Sequence, residues 1–403
     1  MLGEAFAERG SPPAAAQTAS LAPTAQATSA TPRPSDFQTY LRSLRPEARA
    51  RGVSEATIDA AFAGLTPDQE VVRLTTRQSE FVRPIWDYLD GAVSEQRLRL
   101  GRQAAQRHAA TLDSVERAYG VPKAIVLGIW GMETNFGSYT GSKDVFRSLA
   151  TLAHVAYRGD FFQNELLAAL EVLEQGKISR AAMKGSWAGA MGHTQFMPTS
   201  YLRWAVDGDG DGRRDIWGSI PDALASAANY LRGHGWVSGL PWGMEVSLPG
   251  GFDYAATDAS FSRWSAMGVR RAGGGALPTS GDARLFLPAG ANGPAFLVTA
   301  NYEVIKRYNS SDAYALGVAL LGDRLTGGRG LVANWPRNER MLDAGQRREL
   351  QERLQRLGHY GGAIDGMFGT QTREAVRAFQ LQRGLRPDGY ANLALLEALR
   401  AVR

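Results

Sequence analysis

Val121-Pro-Lys-Ala-Ile-Val-Leu-Gly-Ile-Trp-Gly-Met-Glu-Thr-Asn-Phe-Gly137 is an almost wholly apolar stretch. Proline is favoured at the start of a helix and glycine just past its end, so the stretch carries both a start signal and a stop signal. A helix that is apolar on all sides is normally buried. The stretch therefore predicts a buried helix inside an α-rich domain.

Glu133 lies near the C-terminal end of this helix. Ile129 and Trp130 lie one turn earlier on the same face. Desolvation by these neighbours and the negative end of the helix dipole are both expected to raise the pKa of Glu133. A carboxyl group that stays protonated near neutral pH can serve as the general acid on a glycosidic oxygen. The alternative, which this stretch alone leaves open, is a glutamate that merely emerges from a buried helix into solvent.

The bulk composition excludes several classes of protein. The 403 residues suffice for two or three domains. The net charge is only +5, and Arg is interspersed with Asp and Glu, which argues against nucleic-acid binding. The chain has no cysteine, which excludes disulfides, zinc–thiolate sites and a thiol nucleophile. No apolar run approaches the roughly 18 residues that span a bilayer, and no signal peptide is evident.

Changes in composition and periodicity predict four segments. Residues 1–35 are rich in Ala, Pro, Thr and Ser and predict a disordered leader or linker. Residues 36–328 predict a mainly α catalytic domain, with loops and a few short strands inserted between 240 and 300. Glycines and a proline indicate a linker over 329–340, and a compact unit is predicted over 341–403.

The last segment has the pattern of three helices. Leu350, Leu354 and Leu357 repeat at helical spacing before Gly358, a helix stop, and Thr370 or Thr372 is expected to cap the second helix. The apolar positions expected in the second and third helices are Ala375, Val376, Phe379, Leu395, Leu396 and Leu399. The pattern Leu-Gln-Arg-Leu-Gly followed by Ile-Asp-Gly-Met-Phe-Gly resembles the three-helix peptidoglycan-binding domain of many wall enzymes.

Three blocks of the larger segment carry a second resemblance. They are Met132-Glu-Thr-Asn-Phe-Gly137, then Ala188-Gly-Ala-Met-Gly192 with Gln195-Phe-Met-Pro-Thr-Ser-Tyr201, and then Arg307-Tyr-Asn-Ser-Ser311 with Tyr314. In this order they resemble the signature blocks of the lytic transglycosylase B family. The resemblance implies a lysozyme-like, α-rich catalytic domain that acts on peptidoglycan.

The resemblance covers about residues 36–325 and implies that Glu133 is the sole catalytic acid/base. The residues that it implies beside the cleaved bond or along the glycan cleft are Ser186, Gln195, Asn309, Tyr308, Tyr314, Tyr230 and Tyr88. Where the family typically has two adjacent arginines and a tyrosine, this chain has Arg158 and Phe161. Both stay candidate substrate-binding residues, although the contacts there are expected to differ.

Such an enzyme cuts the bond between N-acetylmuramic acid (MurNAc) and N-acetylglucosamine (GlcNAc), and the C6 hydroxyl of MurNAc is the nucleophile. Because the attack is intramolecular, one carboxylate suffices where most glycosidases use two. A hydrolytic muramidase stays open as an alternative, but it needs a second carboxylate near Glu133. A catalytically silent wall-binding scaffold is a further alternative, and the intact Glu133, Ser186 and Asn309 argue against it.

Asp207-Gly-Asp-Gly-Asp-Gly-Arg-Arg-Asp215 has carboxylates at the spacing of an EF-hand loop. Gly218 stands where the usual twelfth-position glutamate would be, and Asp222 could replace it. The predicted ligands of a structural Ca²⁺ are Asp207, Asp209, Asp211, Asp222 and the backbone carbonyl of Arg213. The alternative is a solvated Asp-Gly turn. No cofactor is expected for the chemistry itself.

The expected partner is the glycan strand of peptidoglycan, with neither nucleic acid nor a membrane span involved. The expected compartment is the periplasm, which the chain would reach by export. Proteins of cell-wall synthesis or division stay open as further partners.

Overall fold

The computed structural model describes residues 33–76 and 84–402 and is mainly α-helical. Contacts divide the described residues into two compact units. The first comprises 33–76, Glu95–Gly233 and Asn309–Ser311. The second comprises 84–94, His234–Tyr308 and 312–402. Within the described part of the chain, no helix is both long and apolar enough to cross a bilayer.

The helices are, in chain order, α1 (Phe37–Ser43), α2 (Arg45–Ala50), α3 (Glu55–Phe62), α4 (Gln69–Thr76), α5 (Ile85–Ala92), α6 (Glu95–Arg107), α7 (Ala109–Tyr119), α8 (Lys123–Thr134), α9 (Val145–His154), α10 (Phe161–Glu174), α11 (Pro198–Trp204), α12 (Ile220–Gly233), α13 (Phe261–Ala266), α14 (Ala300–Tyr308), α15 (Asp312–Leu325), α16 (Ala344–Arg356), α17 (Thr370–Gln382) and α18 (Leu393–Arg400). The strands are β1 (Lys143–Asp144), β2 (Lys184–Gly185), β3 (Gly243–Ser247), β4 (Asp258–Ser260), β5 (Arg270–Arg271), β6 (Asp282–Phe286) and β7 (Ala295–Val298).

The apolar stretch read from the sequence forms α8, a core helix of the first unit. All ten residues from Ile125 to Thr134 are buried, which confirms the predicted buried helix. Full burial of a large aliphatic side chain contributes roughly 1.5–3 kcal/mol, so this helix is a main source of the unit's stability. α9 and α10 also present mostly buried residues.

Residues 1–32 of the predicted leader over 1–35 lie outside the described residues. Arg33 is described, and its side chain is mostly buried in the first unit. Its guanidinium donates to the carbonyl oxygen of Gly159 at 2.9 Å and to the carboxylate of Asp160 at 2.7 Å. The chain therefore packs against this unit three residues before the predicted start of the catalytic domain, because the arginine pairs with a carboxylate.

The second unit contains a five-stranded antiparallel sheet in the order β4-β6-β7-β3-β5. The apolar residues Leu285 and Phe286 lie in β6, and the apolar run 296–298 lies in β7. One side of this region packs into an apolar cluster that includes Phe261, Trp264 and Leu297. The inserted region is thus more regular than the predicted loops with a few strands.

The second unit also contains α16, α17 and α18, which confirm the predicted three C-terminal helices. Their shared core contains all six predicted positions of the second and third helices and Leu350 and Leu354 of the first. The prediction for Leu357 is wrong, because this residue follows the end of α16 and is exposed. The predicted threonine cap of α17 is wrong. Gly369 occupies the N-cap without a side-chain bond, and the hydroxyl of Thr372 donates back to the carbonyl of Met367. A threonine inside the first turn can satisfy its hydroxyl in this way, so its presence did not locate the cap.

The predicted linker over 329–340 contains no helix or strand but is bonded within the second unit. The carboxylate of Glu245 accepts from the backbone N–H groups of Val332 and Ala333, both at 2.8 Å. Arg337 makes two bonds to the carboxylate of Asp90, at 2.8 and 2.9 Å. These hydrogen bonds hold residues 329–340 within the second unit.

Candidate active site

The last turn of α8 carries Glu133 and runs directly into strained backbone. Glu133 is only 7% exposed. Asn135 and Phe136 have φ of 48° and 59°, and Gly137 follows with a φ of 81°. A non-glycine residue in this left-handed region costs about 1–3 kcal/mol, and such strain gathers at functional sites. The sharp turn ends the helix just after Glu133.

Hydrogen bonds of Thr134 hold this turn. Its hydroxyl donates towards the carbonyl oxygen of Trp130 at 3.3 Å and accepts from the backbone N–H of Gly137 at 3.1 Å. The backbone N–H of Tyr139 donates to the Thr134 carbonyl at 3.2 Å. The strained residues are therefore held from both sides, as a turn that must stay in one conformation requires.

Ser186 lies against the segment that leaves α8. It directly follows β2, which pairs with β1, and its hydroxyl accepts from the N–H groups of Ala188 at 3.3 Å and Ala190 at 3.1 Å. Gly141 has a φ of 92°, and a Cβ there would lie 2.2 Å from the carbonyl carbon of Gly185 and 2.7 Å from the nitrogen of Ser186. Two backbones thus meet here, and only glycine allows that approach.

Gln195 is tied to the same segment through its side-chain amide. The amide nitrogen donates to the carbonyl oxygens of Thr140 at 3.0 Å and Gly192 at 2.9 Å. Gln195 itself has a φ of 50°, so its backbone is also in the left-handed region. The predicted residues Glu133, Ser186 and Gln195 are therefore all linked to the chain between 134 and 144.

Asn309 lies in the same compact unit as these three residues. It is 4% exposed, and its side-chain oxygen accepts from the backbone N–H of Ser311 at 3.0 Å. The helices on either side of it, α14 and α15, belong to the second unit. Asn309 thus shares a compact unit with Glu133, Ser186 and Gln195, and its place beside the cleaved bond stays a prediction.

The other candidate substrate-binding residues of the first unit pack against aromatic rings. Tyr230 is partly buried, 5.6 Å from the ring of Phe196 and 6.0 Å from that of Trp204. The guanidinium of Arg158 lies 5.5 Å from the ring of Phe161, where a cation–π contact is favourable. Arg158 has a φ of 59°, a further left-handed position of this unit.

Three candidate tyrosines belong to the second unit. Tyr88 lies in α5, Tyr308 ends α14, and both are partly buried. Tyr314 lies in α15 and is only 1% exposed. That burial is typical of a packing role, so its contact with substrate stays a prediction, as it does for the other two.

The aspartate loop before α12 brings four of the predicted ligands together. Carboxylate oxygens of Asp207, Asp209, Asp211 and Asp222 all lie within 4.8 Å of one another. Asp215 is turned elsewhere, and its carboxylate accepts from the N–H groups of Trp217 at 2.9 Å and Gly218 at 2.8 Å. Gathered carboxylate oxygens are the ligands that Ca²⁺ prefers.

Asp222 lies in the first turn of α12, and it is the most buried of the four carboxylates. It is fully buried, and burial raises the pKa of its carboxyl group. It accepts from the backbone N–H groups of Gly208 at 2.8 Å and Asp215 at 2.6 Å. A buried carboxylate near other carboxylates is costly without a cation. The donor set and its charge therefore fit a hard divalent cation, and the carbonyl of Arg213 stays a predicted fifth ligand.

Sequence reasoning missed two residues beside Glu133. Arg97 of α6 is 8% exposed, and it contacts the sulfur of Met132 at 3.9 Å and the side-chain oxygen of Asn135 at 3.4 Å. His193 stands inside the second block and bonds to α8. The position of His193 between Gly192 and Gln195 was the one sequence signal for this residue. Nothing in the sequence of α6 singled out Arg97.

This fold and this site define a class, the SLT transglycosylases. Residues 36–323 match the family Transglycosylase SLT domain, and residues 343–399 match a peptidoglycan binding domain. The chain belongs to this SLT family. The resemblance read from the three blocks, the lysozyme-like mainly α fold and the C-terminal peptidoglycan-binding domain are thereby confirmed.

Particular relatives narrow the class. The membrane-bound lytic murein transglycosylase B of Escherichia coli K12 is 37% identical over 220 residues, which cover 52% of this chain and 59% of that protein. SltB3 from Pseudomonas aeruginosa, solved with NAG-anhNAM-pentapeptide and with NAG-NAM-pentapeptide, is 48% identical with a TM-score of 0.86. That alignment covers 91% of this chain and 100% of SltB3. The E. coli lytic transglycosylase Slt35 in complex with calcium is 29% identical, with a TM-score of 0.60 and coverage of 72% and 92%.

Proposed function

We propose that this chain is a peptidoglycan lytic transglycosylase. It cleaves the MurNAc–GlcNAc bond and leaves 1,6-anhydro ends on MurNAc, for turnover or remodelling of the cell wall. The observation that carries the proposal is Glu133, a buried carboxyl group at the end of an apolar helix, in one unit with Ser186, Gln195 and Asn309. Membership of the SLT family and the muropeptides bound to SltB3 support it.

The chemistry needs one carboxylate used twice. Glu133 first donates its proton to the glycosidic oxygen, and the acetamido group of the substrate stabilises the positive C1 centre. The ionised Glu133 then takes the proton of the MurNAc C6 hydroxyl as that oxygen attacks C1. Because the nucleophile belongs to the substrate, proximity replaces a second enzyme group and no water is consumed. Ser186 and Asn309 would orient the acetamido groups during this sequence.

The C-terminal domain would hold the same polymer. A second site on one chain raises the local concentration of glycan at the first, without a new contact in the active site. The residues of this domain that would touch the wall stay unassigned. We place this action in the periplasm, where fractionation of cells carrying a tagged chain would test it.

The aspartate loop would hold a structural calcium ion. Asp207, Asp209, Asp211 and Asp222 would supply carboxylate oxygens, with the carbonyl of Arg213. The Slt35 complex with calcium supports this assignment. The ion would fix the loop between α11 and α12 and takes no part in the reaction.

Calcium binding has a direct thermodynamic test. An ion that binds only the folded chain stabilises it by about 2.7 kcal/mol at 100 times its Kd. We expect calcium to raise the melting temperature, and the double variant Asp207→Ala, Asp211→Ala to lose that rise. A melting curve that chelator leaves unchanged would rule out the site.

The role of Glu133 is tested with a matched pair of variants. Glu133→Gln keeps shape but cannot donate the proton, so we expect a loss of at least about 10³-fold in turnover of isolated sacculi. Glu165→Gln is the control, because Glu165 is equally buried but is bonded to Thr199 through both oxygens. We expect the control to keep most of the activity. Near-full activity of Glu133→Gln would refute the assignment.

A further inference from the structure

Trp130 lies one turn before Glu133 and is enclosed by three rings. It is 4% exposed. The rings of His108, Phe136 and His193 lie edge-on to its indole at centroid distances of 5.6, 5.8 and 5.9 Å. A buried indole usually finds an acceptor for its N–H. Here the acceptor is His193, whose Nδ1 lies 3.1 Å from the Trp130 Nε1.

His193 contacts the end of α8 at a second point, and a further hydrogen bond holds its backbone. The hydroxyl of Thr134 reaches its backbone oxygen at 3.4 Å, and its own backbone N–H donates to the carbonyl of Ile216 at 2.9 Å. Trp130 and Thr134 bracket Glu133 in the sequence. Trp130, one turn before Glu133, and Thr134, directly after it, thus both contact one histidine.

The backbone after α8 is shaped around this imidazole. A Cβ on Gly137 would lie 2.2 Å from Cε1 and 2.6 Å from Nδ1 of His193. No side chain other than hydrogen fits there, so the turn and the ring are in close contact. A displacement of His193 would therefore displace both the turn that ends at Gly137 and the helix α8.

We propose that His193 is a positioning residue for Glu133. It fixes the last turn of α8 by accepting the Trp130 indole hydrogen bond on Nδ1, and its backbone oxygen is a second acceptor for the Thr134 hydroxyl beside the Trp130 carbonyl. It does not touch the reacting atoms. The inference rests on the proposed function of Glu133.

The electrostatic surroundings keep the acceptor available. Burial lowers the pKa of His193, while Asp215 raises it and His108 lowers it. Burial lowers the pKa of His108, and the positive charge of Arg107 lowers it further. A neutral imidazole has one N–H, and with Nδ1 accepting, that proton is on Nε2.

Three variants test the inference by kinetics on soluble, uncrosslinked peptidoglycan strands. His193→Ala removes the acceptor, and we expect kcat to fall about 10-fold to 100-fold with KM unchanged, since misplacement of a catalytic group costs turnover more than binding. His193→Asn carries an amide oxygen near the place of Nδ1, and we expect it to restore most of kcat. Trp130→Phe removes the donor, and its effect should not add to that of His193→Ala.

His108→Ala is the matched control. It removes another imidazole from the same indole and leaves the hydrogen bond in place, so we expect nearly wild-type kcat. The bond itself is read from the indole N–H resonance of Trp130, assigned by its loss in Trp130→Phe. This resonance should move in His193→Ala and stay in His193→Asn and His108→Ala.

The outcomes separate the inference from the proposed function. If the wild type is active, any of four results would overturn the inference alone. The first two are full kcat in His193→Ala and equal losses of kcat in His193→Ala and His193→Asn. The other two are an equal loss of kcat in His108→Ala and an indole resonance that does not move in His193→Ala. A wild type without turnover of the strands would overturn the proposed function and this inference with it.

Discussion

The end of α8 and the C-terminal domain are built by different rules. After Glu133 the chain passes through left-handed Asn135 and Phe136, and partners distant in sequence hold it. In the C-terminal domain, α16 begins with a reciprocal capping box of Asp343 and Gln346, and α18 is capped by Asn392. Local signals specify most of the second region, whereas long-range contacts specify the first.

The difference follows from what each region must do. A binding domain needs a stable scaffold, which regular helices with apolar stripes provide. A catalytic carboxyl group needs one exact orientation in a buried place, and strained backbone persists only where surrounding contacts over-determine it. Strain beside Glu133 and regularity in α16–α18 are therefore two consequences of the same folding energetics.

Two glycines give the strongest test of this comparison. Gly137 and Gly358 each lie just past a helix end, with φ of 81° and 77°, but a Cβ on Gly137 would overlap His193 while none meets an atom at Gly358. Gly358→Ala adds only backbone strain, about 1–2 kcal/mol. Gly137→Ala adds an overlap, so we expect about 2–4 kcal/mol in urea unfolding and a large loss of turnover. Equal effects of the two variants would erase the distinction between the regions.

A buried polar residue tests the C-terminal domain by itself. Gln351 is fully buried, donates to the carbonyl of Met367 at 3.0 Å and accepts from the N–H of Gly366 at 2.7 Å. Gln351→Ala removes the acceptor of the Gly366 N–H and one of the two donors to the Met367 carbonyl, so we expect a loss of about 2 kcal/mol from this domain in urea unfolding. We also expect weaker binding to sacculi with turnover of short soluble strands kept. The control is Gln355→Ala, an exposed position on the same helix. A parallel loss of turnover on soluble strands would show that the domain is not separable from catalysis.

The smallest expected effect is a pH dependence of the same domain. Hydrogen bonds from Arg400 and then Arg353 lower the pKa of Glu349 to about 2. Because the folded pKa lies below the unfolded value, the pairing stabilises the fold above about pH 4.5 and is lost as pH falls towards 2. The group is near the surface, so we expect only about 0.5–1 kcal/mol. Glu349→Gln should flatten the acid limb of the unfolding curve, and Glu352→Gln should not. Identical acid limbs in wild type and Glu349→Gln would contradict the pairing.

The sequence predicted those parts of the fold that local patterns encode. The apolar run of α8 and the leucine stripes of α16 and α18 were readable because burial follows helical periodicity. The threonine expected to cap α17 was wrong, since a threonine hydroxyl has several local partners. Strands β3, β4 and β5 were not located, because residues of a sheet find their partners far along the chain.

The candidate site divides in the same way. Glu133, Gln195 and Asn309 lie in the blocks that resemble the family and Ser186 lies just before one of them, and their roles stay predictions. The contacts of Arg97 and His193 with α8 could not be predicted, since only folding brings these residues close to that helix. Sequence supplies the reactive groups more readily than the contacts that orient them.

The chemical nature of the new sugar end tests the proposed chemistry most directly. Purified protein would digest sacculi in water enriched in oxygen-18, and mass spectrometry with borohydride treatment would follow the ends. Attack by the MurNAc C6 hydroxyl predicts ends one water lighter than hydrolytic ends, which carry no oxygen-18 and resist reduction. Mostly reducible ends labelled with oxygen-18 would contradict a transglycosylase with Glu133 as its single carboxylate and would favour a muramidase.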